Sequence, residues 1–297
     1  TVVATWGEDP DRDGRTDRVV FASGPAGGAL KRRGNAFDRI PGAAGAGQLL
    51  TDLTRDDRIV WTWGTTRPAG DGADRASLWS VTSAPFARPP TSAPLETATR
   101  TVRDDEETWE VVLTAPSGAQ VAAGQTRPDG RLVLLARRPG ARFKRRTLDM
   151  TTGAANWLRG AMNATGDSVF AWEADGDVYA LMRRRHGKVV GPRLLTPGDD
   201  PLRNDRPAVA IDGAGRALVT WVSWGFDWDS AQGQVRAASS NRAGAFGRHA
   251  VISGPSVRND RSSFPDPWAN ERGEAAIVWQ RSEPGLPVLL VRGRLDR

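Results

Sequence analysis

Residues 9–17, DPDRDGRTD, hold the densest chemistry in the chain, with Asp9, Asp11, Asp13 and Asp17 set around Gly14. Calcium takes roughly six to eight oxygens at about 2.3–2.6 Å, and alternate carboxylates on a looping backbone converge on one such ion. Gly14 permits the bend, and the carbonyl of Arg15 would add a ligand. Carboxylates this crowded repel one another without a cation, so calcium is the expected cofactor, in a structural role. The plain alternative is that Asp and Gly populate a hairpin turn. Only fragments of the pattern recur, at Asp71 and Asp74, at Glu173, Asp175 and Asp177, and at Asp227 and Asp229.

Two further sets of residues could hold a ligand. Arg103-Asp104-Asp105, Arg203-Asn204-Asp205 and Arg258-Asn259-Asp260 repeat one motif. Its arginines could grip a carboxylate or sulfate bidentately, or they could simply pair with the Asp of a neighbouring element. In WVSWGFDWD, Trp224, Phe226 and Trp228 lie beyond a periodic Trp221. Outward-facing indoles beside Asp suit stacking on sugar rings, and packing beneath a long loop explains them equally. The candidate ligand residues are therefore Arg103, Arg203, Arg258, Asp105, Asp205, Asp260, Trp224 and Trp228.

The elements that must position these residues form a repeat. Segments ending at Trp6, Trp63, Gly124, Trp172, Trp221 and Trp279 read as one short strand, recurring at intervals of about 50–60 residues. Gly118, Gly166, Gly215 and Gly273 sit at a constant offset before the last four, as a tight turn requires. The fifth copy shows four strands, a to d, at 207–212, 217–221, 234–240 and 248–253. Six such copies describe an all-β fold, a six-bladed β-propeller of four-stranded antiparallel blades in one domain. The blades fall at approximately 1–44, 45–98, 99–150, 151–198, 199–254 and 255–297. A solenoid of stacked hairpins is the other architecture this period allows. The first copy starts at strand b and the last stops after strand c, so the end blades are incomplete in sequence. The periodic Trp are expected in the core between blades, and Trp268 is expected to pack in strand a or its turn.

In a propeller the b–c and d–a connections share one face. The calcium-type loop, the Arg motifs and the Trp insertion would gather there. The opposite face is expected to be basic, with KRR (31–33), RRPGARFKRR (137–146) and RRRHGK (183–188) in c–d hairpins. Such clusters attract anionic polymers, although charged residues also guard sheet edges. Nucleic acid is disfavoured, because no recognition motif accompanies a net charge of +6.

Composition narrows the chemistry. The 297 residues include no Cys and only two His, which excludes disulfides, thiolate metal sites and thiol nucleophiles, and nearly excludes a Ser-His-Asp triad. His186 and His249 are expected on exposed hairpins. No apolar run approaches the ~20 residues of a membrane span. No P-loop, nucleophile elbow or zinc-protease motif is present.

Three resemblances follow from these motifs. The D-x-D-x-D-G-x-x-D run of residues 9–17, leading into RVVFAS, resembles the calcium loops of integrin-type FG-GAP propellers. FDRIP (37–41) resembles the Arg-Ile-Pro segment of sialidases, although no S-x-D-x-G-x-T-W box accompanies it. VAIDGAGRALVTW (209–221) resembles the repeats of secreted propellers of high-GC bacteria. The implied protein is secreted or cell-surface, a calcium-stabilised, non-catalytic binding module for a glycan or protein ligand. The alternative is a sialidase-like glycoside hydrolase with loop carboxylates and an arginine cluster, its catalytic residues unassigned.

Overall fold

The computed structural model describes residues 2–8, 18–24, 31–37, 50–53, 58–68, 74–85, 95–102, 107–126, 131–138, 141, 143–148, 154–196, 202–225, 232–253, 257–258, 265–280 and 288–295. The described residues form antiparallel sheets and contain no helix. The sheets follow one another along the chain. The first holds β1 (Val2–Glu8), β2 (Arg18–Gly24) and β3 (Lys31–Phe37). The second holds β4 (Leu50–Leu53), β5 (Arg58–Pro68), β6 (Asp74–Pro85) and β7 (Leu95–Val102). The third holds β8 (Glu107–Thr114), β9 (Gln120–Thr126), β10 (Leu132–Arg137) and β11 (Lys144–Leu148). The fourth is β12 (Asn156–Met162), β13 (Ser168–Ala174), β14 (Asp177–Arg183) and β15 (Val189–Leu194). The fifth is β16 (Arg203–Ile211), β17 (Ala217–Trp224), β18 (Gln232–Ser239) and β19 (Ala250–Val251), with β20 (Val257–Arg258) also on β18. The sixth is β21 (Asp266–Ala269), β22 (Glu274–Gln280) and β23 (Val288–Arg294).

This is a β-propeller of four-stranded antiparallel blades. Among the described residues, the first and last sheets have three strands each. The chain divides into two compact units, Thr1–Pro128 with Leu135–Arg145, and Asp129–Leu134 with Arg146–Arg297. In the first unit Val112, Ala122 and Leu135 form a small core against Phe143, and the Arg137 guanidinium lies 4.8 Å from the Phe143 centroid.

The second unit shows why the strand sequences read as they do. Strands β13 and β17 are buried along their whole length, because each is covered on both sheet faces. Both faces must then be apolar, so these strands read as continuous hydrophobic runs without alternation. Val169 and Ala171 of blade 4 pack with Val219 and Trp221 of blade 5. On the other face of blade 5, Leu218 and Val235 pack with Ile277 and Trp279 of blade 6. Trp172 and Trp221 are wholly buried and Trp279 nearly so, as the periodic Trp were expected to be.

The Gly markers fulfil their role. Gly118, Gly166, Gly215 and Gly273 have φ of 82°, 90°, 76° and 78°. Each donates its N–H to the carbonyl three residues back, at Ala115, Asn163, Asp212 and Asn270, over 2.8–3.0 Å. Four a–b hairpins thus share one turn, in which left-handed Gly follows a tight reversal.

Four local expectations are corrected. KRR (31–33) lies inside strand β3 instead of a hairpin, and Lys144–Arg146 likewise lie inside β11. Trp268 sits in β21 but is 55% exposed rather than packed. His249 is not on an exposed hairpin: it is half-buried and packs edge-on against Trp221, with ring centroids 5.9 Å apart.

Candidate functional site

The site is built where the first strands of blades 4 and 5 begin. Strand β12 pairs with β13 in a register that shifts between Asn156 and Arg159, and β16 shifts against β17 between Asp205 and Ala208. Each shift is a β-bulge, an extra residue that re-aims the side chains around it. Each contains a non-glycine residue in the left-handed region, Trp157 at φ 53° and Arg206 at φ 55°. The two positions are equivalent. Trp157 precedes the turn residue Asn163 by 163 − 157 = 6, and Arg206 precedes Asp212 by 212 − 206 = 6. A bulky side chain there carries strain of order 1–3 kcal/mol.

These equivalent bulges meet across the blade boundary. The guanidinium of Arg206 lies 5.8 Å from the Trp157 ring centroid, and that of Arg159 lies at the same distance. Trp157 is nevertheless 42% exposed. Asp205 holds Arg206 in place: one carboxylate oxygen accepts the Arg206 backbone N–H at 2.7 Å, and the other stands 3.6 Å from Nε.

Beneath them lies a buried polar knot around Asn204, whose exposure is zero. Its backbone N–H and its Nδ2 both donate to the Gly176 carbonyl, at 2.9 and 3.1 Å. Its Oδ1 accepts from Trp221 Nε1 at 3.2 Å and Ser223 Oγ at 2.5 Å. Asn204 therefore fastens the first strand of blade 5 to the b–c turn of blade 4. That turn is the two-residue loop Asp175-Gly176, with φ of 54° and 85°, the Asp-Gly geometry a tight hairpin favours. Glu173 closes it, accepting from Gly176 N at 2.7 Å and from Asn156 Nδ2 at 3.0 Å. Asp177 accepts from Thr196 Oγ1 at 2.7 Å. The carboxylates of Glu173 and Asp177 are thus taken up by hydrogen bonds around this turn. Among the described residues, no group of three or more His, Cys, Asp or Glu could hold a metal ion.

The expected site residues fare differently. Arg203 and Asp205 lie within the first strand of blade 5, not ahead of it, and Arg203 is exposed. Arg258 does not lead directly into β21. It pairs with Gln232 in β20, on blade 5. Trp224 ends β17 and is 6% exposed, so it cannot stack on a ligand in solvent as expected. Its place at the end of a strand covered on both faces accounts for the burial. Arg103, Asp105, Asp260 and Trp228, and the metal-loop residues Asp9, Asp11, Asp13, Arg15 and Asp17, lie outside the described residues.

Sequence reasoning missed Trp157, Arg159, Arg206 and the central role of Asn204. The offset of Trp157 and Arg206 from their turns was the available signal. It went unnoticed because a bulge breaks the alternation that marks a strand.

No protein-family model and no curated protein matches this sequence. Solved structures do resemble it. A Dyadobacter fermentans protein of unknown function superposes with a TM-score of 0.54 at 12% identity, covering 98% of this chain and 89% of that one. Hydrazine synthase of Kuenenia stuttgartiensis gives 0.50 at 13% identity, with 89% and 71% covered. An α-L-arabinanase of Penicillium chrysogenum, complexed with arabinobiose, gives 0.46 at 11%, with 85% and 81% covered. At such identities the likeness speaks for the fold alone.

Proposed function

We propose that this propeller is a non-catalytic binding module, secreted or cell-surface, that holds a glycan at the strand starts of blades 4 and 5. One observation carries the reading. Trp157 is a large, half-exposed indole kept in a strained backbone position beside two guanidinium groups, and strained residues cluster where ligands bind. An indole face is a natural platform for a sugar ring. Asp205 argues against hydrolysis at this site. A glycosidase needs two carboxyl groups about 5–10 Å apart and available to water or sugar, whereas both oxygens of Asp205 are directed at Arg206.

The calcium loop of residues 9–17 belongs to the same proposal as a stabilising element. Chelation is expected to lower the thermal unfolding midpoint, and an unchanged midpoint removes calcium from the account. A basic surface for anionic polymers has a narrower basis. The c–d turns of blades 4 and 5 carry exposed Arg185, Lys188 and Arg242, but Arg184 is committed to Asp167, the Gly215 carbonyl and the Arg242 carbonyl. The deciding experiment is a glycan array run with the wild type and Trp157→Ala. Hits that the substitution abolishes are expected. An array without hits, with a protein partner captured instead, would replace the glycan with a protein ligand.

A further inference from the structure

We infer that the neighbouring c–d turns of blades 4 and 5 form a docking surface for a linear acidic polysaccharide, one bearing sulfate or carboxylate groups along its chain. These turns lie at the opposite end of the strands from Trp157, and the inference stands independently of the glycan reading there. The two turns share one geometry. Gly187 and Gly244 have φ of 90° and 91°, and each donates its N–H three residues back, to the carbonyls of Arg184 and Asn241 at 2.7 and 3.0 Å. Arg185 and Arg242 therefore occupy the same turn position, and both are exposed. Such a turn asks for glycine at its left-handed place and makes no demand for arginine two residues earlier. A guanidinium that recurs there in successive blades calls for a reason outside the fold.

Arg184 is the positioning residue that sets the turns side by side. Its guanidinium donates to the Gly215 carbonyl at 2.9 Å and to the Arg242 carbonyl, and stands 3.6 Å from Asp167 Oδ2. Asp167 Oδ1 accepts the Arg185 backbone N–H at 2.8 Å. The segments that build this end of blades 4 and 5 are residues 163–168, 183–188, 212–216 and 240–248, all within the described residues. They hold seven Arg or Lys and two Asp. Both carboxylates face an arginine of the clamp or of the buried pair, Asp167 with Arg184 and Asp212 with Arg216. Arg185, Lys188 and Arg242 have no carboxylate partner among the described residues. Cations fixed in this way attract an anionic chain through their summed field, and fixing them beforehand lowers the cost of ordering them on binding.

The rest of the surface selects the kind of polyanion. Single-stranded nucleic acid is held on aromatic rings that stack with its bases. Here Phe246 is buried, and the His186 ring takes the Arg185 Nε–H at 3.0 Å. A membrane interface takes up large apolar side chains. The exposed ones among the described residues, Trp157, Val251, Trp268 and Val291, lie outside these turns. An acidic polysaccharide needs neither feature, because guanidinium groups receive sulfate and carboxylate bidentately.

The test is calorimetric titration of the purified chain with a sulfated dextran oligosaccharide, an oligogalacturonate, uncharged dextran of the same length, single-stranded DNA of equal charge, and anionic phospholipid vesicles. At least one of the two acidic oligosaccharides is expected to bind most tightly, losing about tenfold or more in affinity between about 50 and 200 mM salt. The triple variant Arg185→Gln/Lys188→Gln/Arg242→Gln should lose about tenfold or more and show a shallower salt dependence. Its unfolding midpoint should not change, because all three side chains are exposed. Arg292→Gln, an exposed cation on blade 6, and Trp157→Ala should bind as the wild type does. Arg184→Lys keeps the charge but loses the bridge to two carbonyls, so affinity should fall while the salt dependence stays. Wild-type affinity in that variant overturns the clamp and with it the fixed surface. Wild-type affinity in the triple variant, or a loss with Trp157→Ala, places the polymer elsewhere and overturns the inference. Binding of uncharged dextran as tight as that of the acidic chains does the same. DNA or vesicles that bind as tightly as the acidic oligosaccharides overturn the choice of a polysaccharide, and no binding of either acidic oligosaccharide overturns the whole.

Discussion

Blade 5 carries an arginine–aspartate pair at each end of its first strand, and the two pairs differ in burial and backbone. At the a–b turns, Arg216 and Asp212 are buried, with side-chain exposures of 8% and 0% and a 2.6 Å contact. Asp212 also accepts the Arg216 backbone N–H at 2.8 Å, while its own carbonyl accepts from Asn163 Nδ2 of the preceding blade at 2.9 Å. The Arg216 guanidinium fills the space in which a Cβ on Gly273 would stand. The pair is thus a bolt through three successive blades, satisfied on every side. At the strand starts, Arg206 and Asp205 meet at 3.6 Å, partly open to solvent and on a strained backbone. The same two residue types lock one end and stand partly exposed at the other. What differs is the burial of the pair and the backbone beneath it.

Breaking the lock should have the largest effect. Asp212→Ala leaves a buried guanidinium without its partner, which typically costs about 3–5 kcal/mol. Denaturant unfolding should show this as a lower midpoint with an unchanged slope. The double variant Asp212→Ala/Arg216→Met should recover much of the loss, because an apolar pair avoids the stranded charge. A single substitution costing less than about 1 kcal/mol would mean that water reaches Arg216, and the contrast between the two ends would dissolve.

Asn204 stands under the open end and should come next. Asn204→Ala strands the buried Trp221 N–H and removes one of the two bonds to the Gly176 carbonyl, at a cost of about 1–3 kcal/mol that the same unfolding experiment reads. If the cost is nearer that of a surface change, the knot does not fasten blade 5 to the turn of blade 4. Smaller still is the effect of Trp157→Gly on stability. Relief of positive φ should make it neutral or stabilising by up to about 1 kcal/mol, the reverse of the usual outcome for removing a Trp. A clear loss would show that the bulge is a packing element instead of a site held under strain.

The locked end was much the more legible in sequence. Its turns repeat with Gly at a fixed place, because only one residue type suits positive φ there without cost. The buried Trp in the second strands of blades 4 to 6 repeat because burial on both faces demands bulk. The open end follows no such rule. At equivalent bulge positions blade 4 has Trp157 and blade 5 has Arg206, so residue identity does not recur even though the backbone does. Trp224 misled for a related reason. Exposure depends on where a strand ends, and the sequence of WVSWG does not mark that point. In Arg203-Asn204-Asp205 the charged residues drew attention, yet the uncharged Asn204 makes the most buried bonds.

The smallest test concerns Tyr179, beside the open end and stacked on Trp172 with ring centroids 5.9 Å apart. Burial raises its pKa above the ordinary 10.0, and the nearby charges of Asp177 and then Asp175 raise it further. Because the native state holds this proton longer than the unfolded chain, the contribution to stability is complete below about 10 and is lost as the pH climbs through the native value. The chain has a single Tyr, so the phenolate absorbance follows this group alone. The native titration should have its midpoint above that of the protein in denaturant. Asp177→Asn should bring it down only part of the way, since burial is the larger cause. The same substitution keeps an oxygen to accept from Thr196 Oγ1, which holds the turn while the charge is removed. A midpoint equal in the native and denatured protein would mean that the b–c turn of blade 4 is open to water, and with it the face that Asn204 and Trp157 share.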